Sequence, residues 1–562
     1  MNCFKSLFSF NLKLFIISLL FLNTNNFAQV SNKSPIIKAL EEEQQRAFEI
    51  FKQKGNPAPY FLGYQVTETT STIVSASFGA LRNSNTNRTR NLDIDIRVGD
   101  FKLDNTNGRG GSTNSQSLPI DDDIEAIKSS IWLNTDAAYK NAVDSFIRIK
   151  TEKDTTVADE YPADNFSSIS PMVSLNQTVQ IIVKNEVWEH KLRNLSAIFK
   201  KYPEIFGASV SLSADAINKY IVNSEGTTIQ HGRTLVRISI FAATKASDGM
   251  DLFRFESIDA LTPEGLPNEA KLEQTIEKVA KDLIALRNAP VIEPFTGPAI
   301  LSGRASGVFF HEIFGHRIEG HRQKDDFEGN TFTARINQSV LPDFISVIDD
   351  PTLKKLGSID LNGNYLFDEE GVKAQKVLLV ENGILRNFLM SRSPIVGFPA
   401  SNGHGRAAPG FAPVSRQGNL IIKANKTVSK AKLRQLLLEE LKKQGKTYGL
   451  FFEDISGGFT NTTRYSPQSF QVTPVMVYRI YADGRPDELV RGVDLIGTPL
   501  TSFSKIIATD NEVEVFNGFC GAESGYIPVS AISPSILISQ IEVQKRAKSS
   551  ELLPILPPPN VR

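Results

Sequence analysis

Two cysteines in 562 residues, no excess of either charge, and no long apolar run beyond the first thirty residues set the first limits on this chain. Lys plus Arg (62) offsets Asp plus Glu (62), so no overall field draws in a polyanion, and nucleic acid is not an expected partner. The one long apolar run, Leu14 to Leu22, follows Lys5 and Lys13 and gives way to polar residues closing on Ala28. It is too short to span a bilayer and reads as an export signal over residues 1–28, with the mature chain starting near Gln29 in the periplasm or outside the cell. Cys3 stands within the charged leader, the wrong place for a lipid-anchor cleavage site. No later stretch suits a membrane, so no stable insertion is expected after cleavage. Removal of the leader leaves Cys520 alone in an oxidising compartment, which excludes an intrachain disulfide framework. A lone thiol there is buried and inert, pairs between chains, or holds a metal as thiolate.

The remaining chain is long enough for more than one core. Residues 35–54 place Ile37, Leu40, Phe48 and Phe51 at helical spacing ahead of Gly55 and Pro57. The alternating stretches YFLGYQVTETTSTIVSASFGAL and NLDIDIRVGDFKL read as strands. The loop 104–117 contains Gly-Arg-Gly-Gly but lacks the Lys-Ser/Thr ending and following helix of a phosphate cradle. Helical patterns cover 121–150, 176–203 and 267–288, with strands over 206–247. Beyond Gly297 the texture turns to strands: KVLLVENGILRNFLM and VMVYRIYADGRPDELV set Asn-Gly and Asp-Gly between alternating apolar runs, a hairpin signal. The expected fold is α+β in two domains, an N-terminal one over 29–290 and a β-rich C-terminal one over 291–550 that carries a histidine helix. A Pro-rich tail over 551–562 is expected to lie extended.

That helix lies in VFFHEIFGHRIEGHR, 308–322, where three of the six histidines fall within eleven residues beside several phenylalanines. His311 and His316 are five apart, about 140° and about 7.5 Å on an ideal helix, so their imidazoles would not converge on one ion. A widened turn would bring them onto one face, and Gly315 is where the helix could most easily distort or end. Glu312 would then lie beside a metal without ligating it, placed to take a proton from water. Catalytic zinc takes three protein ligands, and the candidates for the third are His321, His404, Glu319 and Cys520. His404 and Arg406 of SNGHGR, with Glu319, are also candidates to line a substrate cleft.

HEIFGHRIEG, SNGHGR, VLLVENGILRNFLMSR, SGGFTNTTRYSPQSFQVTPVMVYRIYADGR, RGVDLIGTPL and NGFCGAESGYIPVS occur in this order over most of 290–545. Together they resemble the metal-bearing, TldD-like branch of the TldD/PmbA family of metallopeptidases. The resemblance implies a His-Glu-x-x-x-His motif in which His311, His316 and Cys520 hold Zn2+ and Glu312 is the catalytic base. The five-residue spacing is then the family's own. It implies a peptide substrate and a homodimer, or a heterodimer with a related subunit, enclosing a cleft. It also leaves open a non-catalytic partner subunit, since some members lack the metal residues, although the four residues are intact here. A modulator of a nucleic-acid enzyme, implied by older family naming, fits neither the neutral charge nor the leader. The leader, the Asn/Ser-rich insertions, and His321 where relatives commonly carry an acid are departures from the family pattern.

Overall fold

Long amphipathic strands organise the first half of the chain. The computed structural model describes residues 33–108, 113, 115–155, 161–324, 328–465, 469–546 and 556; the leader and all of the Pro-rich tail except Leu556 lie outside them. Pro59–Ser77 and Ala80–Val98 form an antiparallel hairpin, joined at Phe78 and Gly79, both at positive φ. The polar run 83–90, outside both strands read from the sequence, continues the second one: Asn83 pairs Ser75 and Arg90 pairs Glu68. Cross-strand bonds such as Thr72–Thr86, 2.9 Å, stabilise the pairing where apolar alternation is absent. Gly207–Asn223 and Thr228–Lys245 extend the sheet as expected, Asp251–Ala260 adds an edge strand not read from the sequence, and the short strands Gln116–Ser117 and Val173–Leu175 bring the sheet to seven.

Helices cover this sheet. Pro35–Lys54 and Ile124–Thr155 bury Ile37, Leu40, Ile127 and Ile131 against it, and Glu269–Asn288 buries Leu272, Ile276 and Leu283. The helix expected over 176–203 is confined to Asn185–Ala197, followed by a 3-10 turn. Its first third contains five β-branched residues, Thr178, Val179, Ile181, Ile182 and Val183, whose stiff side chains favour an extended path. Asn268 caps Glu269–Asn288 by accepting from the Lys271 N–H, so that helix begins where its cap stands.

A mixed sheet of eleven strands occupies 295–545. Its Asn-Gly hairpin forms as expected: Asn382 and Gly383, both at positive φ, join Val377–Glu381 to Ile384–Leu385. After Asp483-Gly484 the chain runs a longer loop and re-pairs only at Glu488–Val490. The long antiparallel pair Ile506–Ala522 and Gly525–Lys545 crosses the sheet, and the helix Gly303–Ile313 lies against both strands. Gly303 and Gly307 permit the approach, since a Cβ on either would meet the backbone of Ser533 or Ala531 within 3.2 Å. Phe309, Phe310 and Phe314 complete the packing as an aromatic cluster with Phe470 and Phe503, all fully buried. Arg392 binds the two sheet regions together: its guanidinium donates to Ser167 O and to Glu225 Oε1, 2.8 Å, and lies 3.9 Å from the Phe166 ring centre. No helix among the described residues is long and apolar enough to cross a membrane.

Candidate metal centre

The histidine helix begins at its cap and stops sooner than its apolar pattern suggests. Ser302 Oγ accepts from the Ala305 N–H at 3.1 Å, and the α-helix runs from Gly303 to Ile313. A 3-10 turn, Gly315–Ile318, then carries His316. The distortion that the spacing demands is therefore a tightened turn after a helix end, where the sequence reading proposed a widened one. Two side chains satisfy the carbonyls freed there. Gln417 Nε2 donates to His311 O at 3.3 Å and Arg317 Nη1 to Ile313 O at 3.0 Å. Gly315 is required because a Cβ would sit 1.9 Å from Gln417 Oε1.

This break turns His316 back towards His311, their ring centres 5.1 Å apart. Cys520, near the end of Ile506–Ala522 and opposite Ile527, arrives from the other side. One ligand atom from each of His311, His316 and Cys520 lies within 4.8 Å of the others, and all three residues are buried. Cys520 Sγ is 3.3 Å from His316 Nε2. Tetrahedral zinc with bonds of about 2.0 Å to nitrogen and about 2.3 Å to sulfur separates its ligand atoms by about 3.3–3.6 Å, so this donor set fits a metal ion. Glu312 stands on the same side, Oε2 3.9 Å from His316 Nε2.

The electrostatics point the same way. Burial alone would raise the thiol and lower both imidazoles, but attraction between thiolate and imidazolium outweighs it. Cys520 lies well below its ordinary value, His311 above, and His316 well above. Metal uptake must displace the protons that these imidazoles hold. Affinity is therefore expected to be higher at about pH 8 than at about pH 6, each displaced proton adding up to about tenfold per pH unit while its imidazole is still protonated. Chelator competition at the two pH values reads this directly, and a flat profile would contradict it.

The other residues singled out from the sequence are placed differently. Glu319 is fully buried and lines no cleft: its Oε2 is 3.2 Å from His316 Nδ1 and 2.9 Å from Arg322 Nε. Burial would raise its carboxyl, yet His316 and its arginine neighbours hold it at about 2. His404, also fully buried, is fixed by Asp349 Oδ1, 3.2 Å from its Nε2, and by Asn402 at its Nδ1. Arg406 lies under the Tyr365 ring and beside Glu369. Both are interior groups, not cleft residues, because the glycines of SNGHGR let the chain pass through the core: Gly403 has φ +77, and a Cβ on Gly405 would strike Glu370. His321 is largely buried, its Nε2 bonded to Glu523. Glu319, His321 and Glu523 also bring one ligand atom each within 4.8 Å of the others, but Arg322 already supplies the cation there, 2.8 Å from Glu523 Oε2. Glu523, Arg416 and Gln417 were missed, since nothing local in sequence marks a residue whose partner is a hundred positions away.

Residues 295–545 match the family model of the PmbA/TldA metallopeptidase C-terminal domain. An Archaeoglobus fulgidus protein named metalloprotease is 32% identical over 240 residues, 42% of this chain and 51% of that protein. A Saccharolobus solfataricus protein named zinc metalloprotease TldD homolog is 23% identical over 394 residues, 68% of this chain and 82% of that protein. The chain thus spans about half the length of the Archaeoglobus relative. The solved structure of TldE from Thermococcus kodakarensis superposes with a TM-score of 0.58 at 14% identity, covering 90% of this chain and all of that one. At that identity the likeness shows the fold alone.

Proposed function

Because this chain belongs to the TldD/PmbA family of metallopeptidases, we propose that it is a zinc peptidase acting on short or unfolded peptides. The observation that carries the reading is the convergence of His311, His316 and Cys520 beside the carboxylate of Glu312. Bound there, zinc would supply Lewis acidity towards a carbonyl and a water of near-neutral pKa. The chain's own groups do the rest. Glu312 takes a proton from the attacking water and returns it to the leaving amine, while the phenylalanine-packed helix keeps bulk water from the far side of the ligands.

The neighbouring strand supplies a way to hold substrate. Tyr448–Thr460 pairs along one edge with Phe470–Tyr481, but on its other edge with Phe295–Leu301 only over Leu450–Phe452. Past Phe452 that edge pairs with no strand among the described residues, and exposed Gly458 lies against Glu312. An extended peptide added there would present its backbone to Glu312, with affinity drawn mainly from main-chain bonds. A dimer or a related subunit would close over this face, and the leader would deliver the enzyme to the periplasm or beyond.

The deciding assay compares one small protein, folded and then reduced and unfolded, at equal concentration, alongside a mixed peptide library read by mass spectrometry. Cleavage of the unfolded form and of many sequences is expected. Equal cutting of both forms would overturn the enclosed cleft, and one dominant residue at the cut site would overturn backbone-led recognition. A sharper expectation concerns Gly458→Ala, whose Cβ would lie 2.7 Å from Glu312 Cγ and 2.8 Å from Val472 Cγ1. Displacing the carboxylate should lower kcat roughly ten- to a hundredfold while metal content stays the same. Unchanged turnover would show that Glu312 need not stay where it is.

A further inference from the structure

We infer that Glu319 is the positioning residue of this centre: it fixes which nitrogen of His316 faces the metal and, with Arg416, locks the histidine turn to the cysteine strand. The inference rests on the metal reading of His311, His316 and Cys520. The first strand of argument is the hydrogen bond. His316 Nε2 faces Cys520 Sγ, so Nδ1 points away from the ligand cluster, and Glu319 Oε2 meets it at 3.2 Å. A carboxylate can only accept, so Nδ1 keeps its proton and Nε2 is the nitrogen that gives its proton up to bind a cation. A ligating imidazole backed by a carboxylate is held in ring orientation and made more basic.

The second strand is how Glu319 is itself held. Its side chain is fully buried, which is tolerated only with charged partners. Arg322 Nε donates to Oε2 at 2.9 Å, and Arg416 Nε lies 3.6 Å from Oε1. Arg416, equally buried, also donates through Nη2 to Cys520 O at 2.8 Å and through Nη1 to Ser524 Oγ at 2.7 Å. One guanidinium therefore grips the backbone of the thiol ligand and faces the carboxylate that grips the imidazole ligand. The two ligands come from segments more than two hundred residues apart, and this pair connects them through charge and hydrogen bonds. Glu319 cannot serve as the general base, because the His316 ring stands between it and the ligand atoms.

The test uses the full-length protein and cobalt(II) as the probe. Cobalt affinity is measured by chelator competition for the wild-type protein and for Glu319→Gln, whose amide keeps the shape and loses the charge. A ten- to hundredfold weaker affinity is expected in the variant, with a lower thermal midpoint of the metal-free protein, because Arg322 and Arg416 lose their buried counter-charge. Proton spectra of the cobalt form supply the readout that a merely structural role would not move. The His316 Nδ1–H should appear as a shifted resonance protected from solvent exchange in the wild type, and should exchange rapidly in the variant. Equal affinities with equally protected resonances would overturn the role of Glu319 and leave the metal reading standing; no cobalt binding by the wild type would overturn both. Should Glu319→Gln fail to fold, the wild-type resonance decides alone, since its absence, or coordination through Nδ1, contradicts the assignment.

Discussion

Glu312→Gln is expected to retain one metal ion per chain and to lose roughly 10²–10⁴-fold in kcat, the usual contribution of a positioned general base. The amide preserves the side chain's shape against Gly458, so the helix and its ligands should not move. It cannot accept a proton from water. Glu312 Oε2 lies 3.9 Å from His316 Nε2, on the side of the ring that faces Cys520. The other nearby carboxylate, Glu319, is spent behind that ring on Nδ1 and Arg322. Steady-state hydrolysis of a peptide mixture, with metal content measured on the same sample, checks the expectation. Near-normal turnover would place the base elsewhere.

Cys520→Ser is expected to empty the centre without unfolding the chain. Shared equally among three ligands, a zinc affinity of ~12 kcal/mol allots about 4 kcal/mol to the thiolate, so its loss should weaken binding by about a thousandfold. The serine hydroxyl matches the thiol in shape but does not ionise under these conditions. The fold should persist, because the apolar packing of Cys520 is confined to a small cluster with Ile527 and Val529, and the cores of both sheets are built without the centre. Chelator competition and thermal unfolding of the metal-free protein test the two halves separately. Full occupancy in the variant would remove Cys520 from the ligand set.

The helices and the site differed in how far they could be read in advance. Helices with local signals were legible: Pro35–Lys54 falls within its expected bounds, and Glu269–Asn288 starts at its Asn268 cap. The placing of His311, Glu312 and His316 followed from their spacing and from Gly315, although the break proved a 3-10 turn and not a widened one. What stayed hidden depends on long-range pairing. The polar strand over 83–90 has no apolar alternation and exists because Ser75–Glu68 pairs with it. Arg416 and Gln417 reach the centre only because their strand region passes behind the histidine turn. His404 and Arg406 misled because a glycine-rich stretch reads as an exposed loop, whereas here glycine is what admits the backbone to the interior. Gly458, unremarkable in sequence, matters for the same reason: it leaves room for a carboxylate contributed by another element.

X-ray absorption at the zinc edge of the purified, zinc-loaded protein reads the donor set itself. One zinc per chain is expected, with a shell of two nitrogen donors at about 2.0 Å and one sulfur at about 2.3 Å, completed by a light atom. A shell without sulfur, or a protein that takes up no zinc, would contradict a centre built from His311, His316 and Cys520.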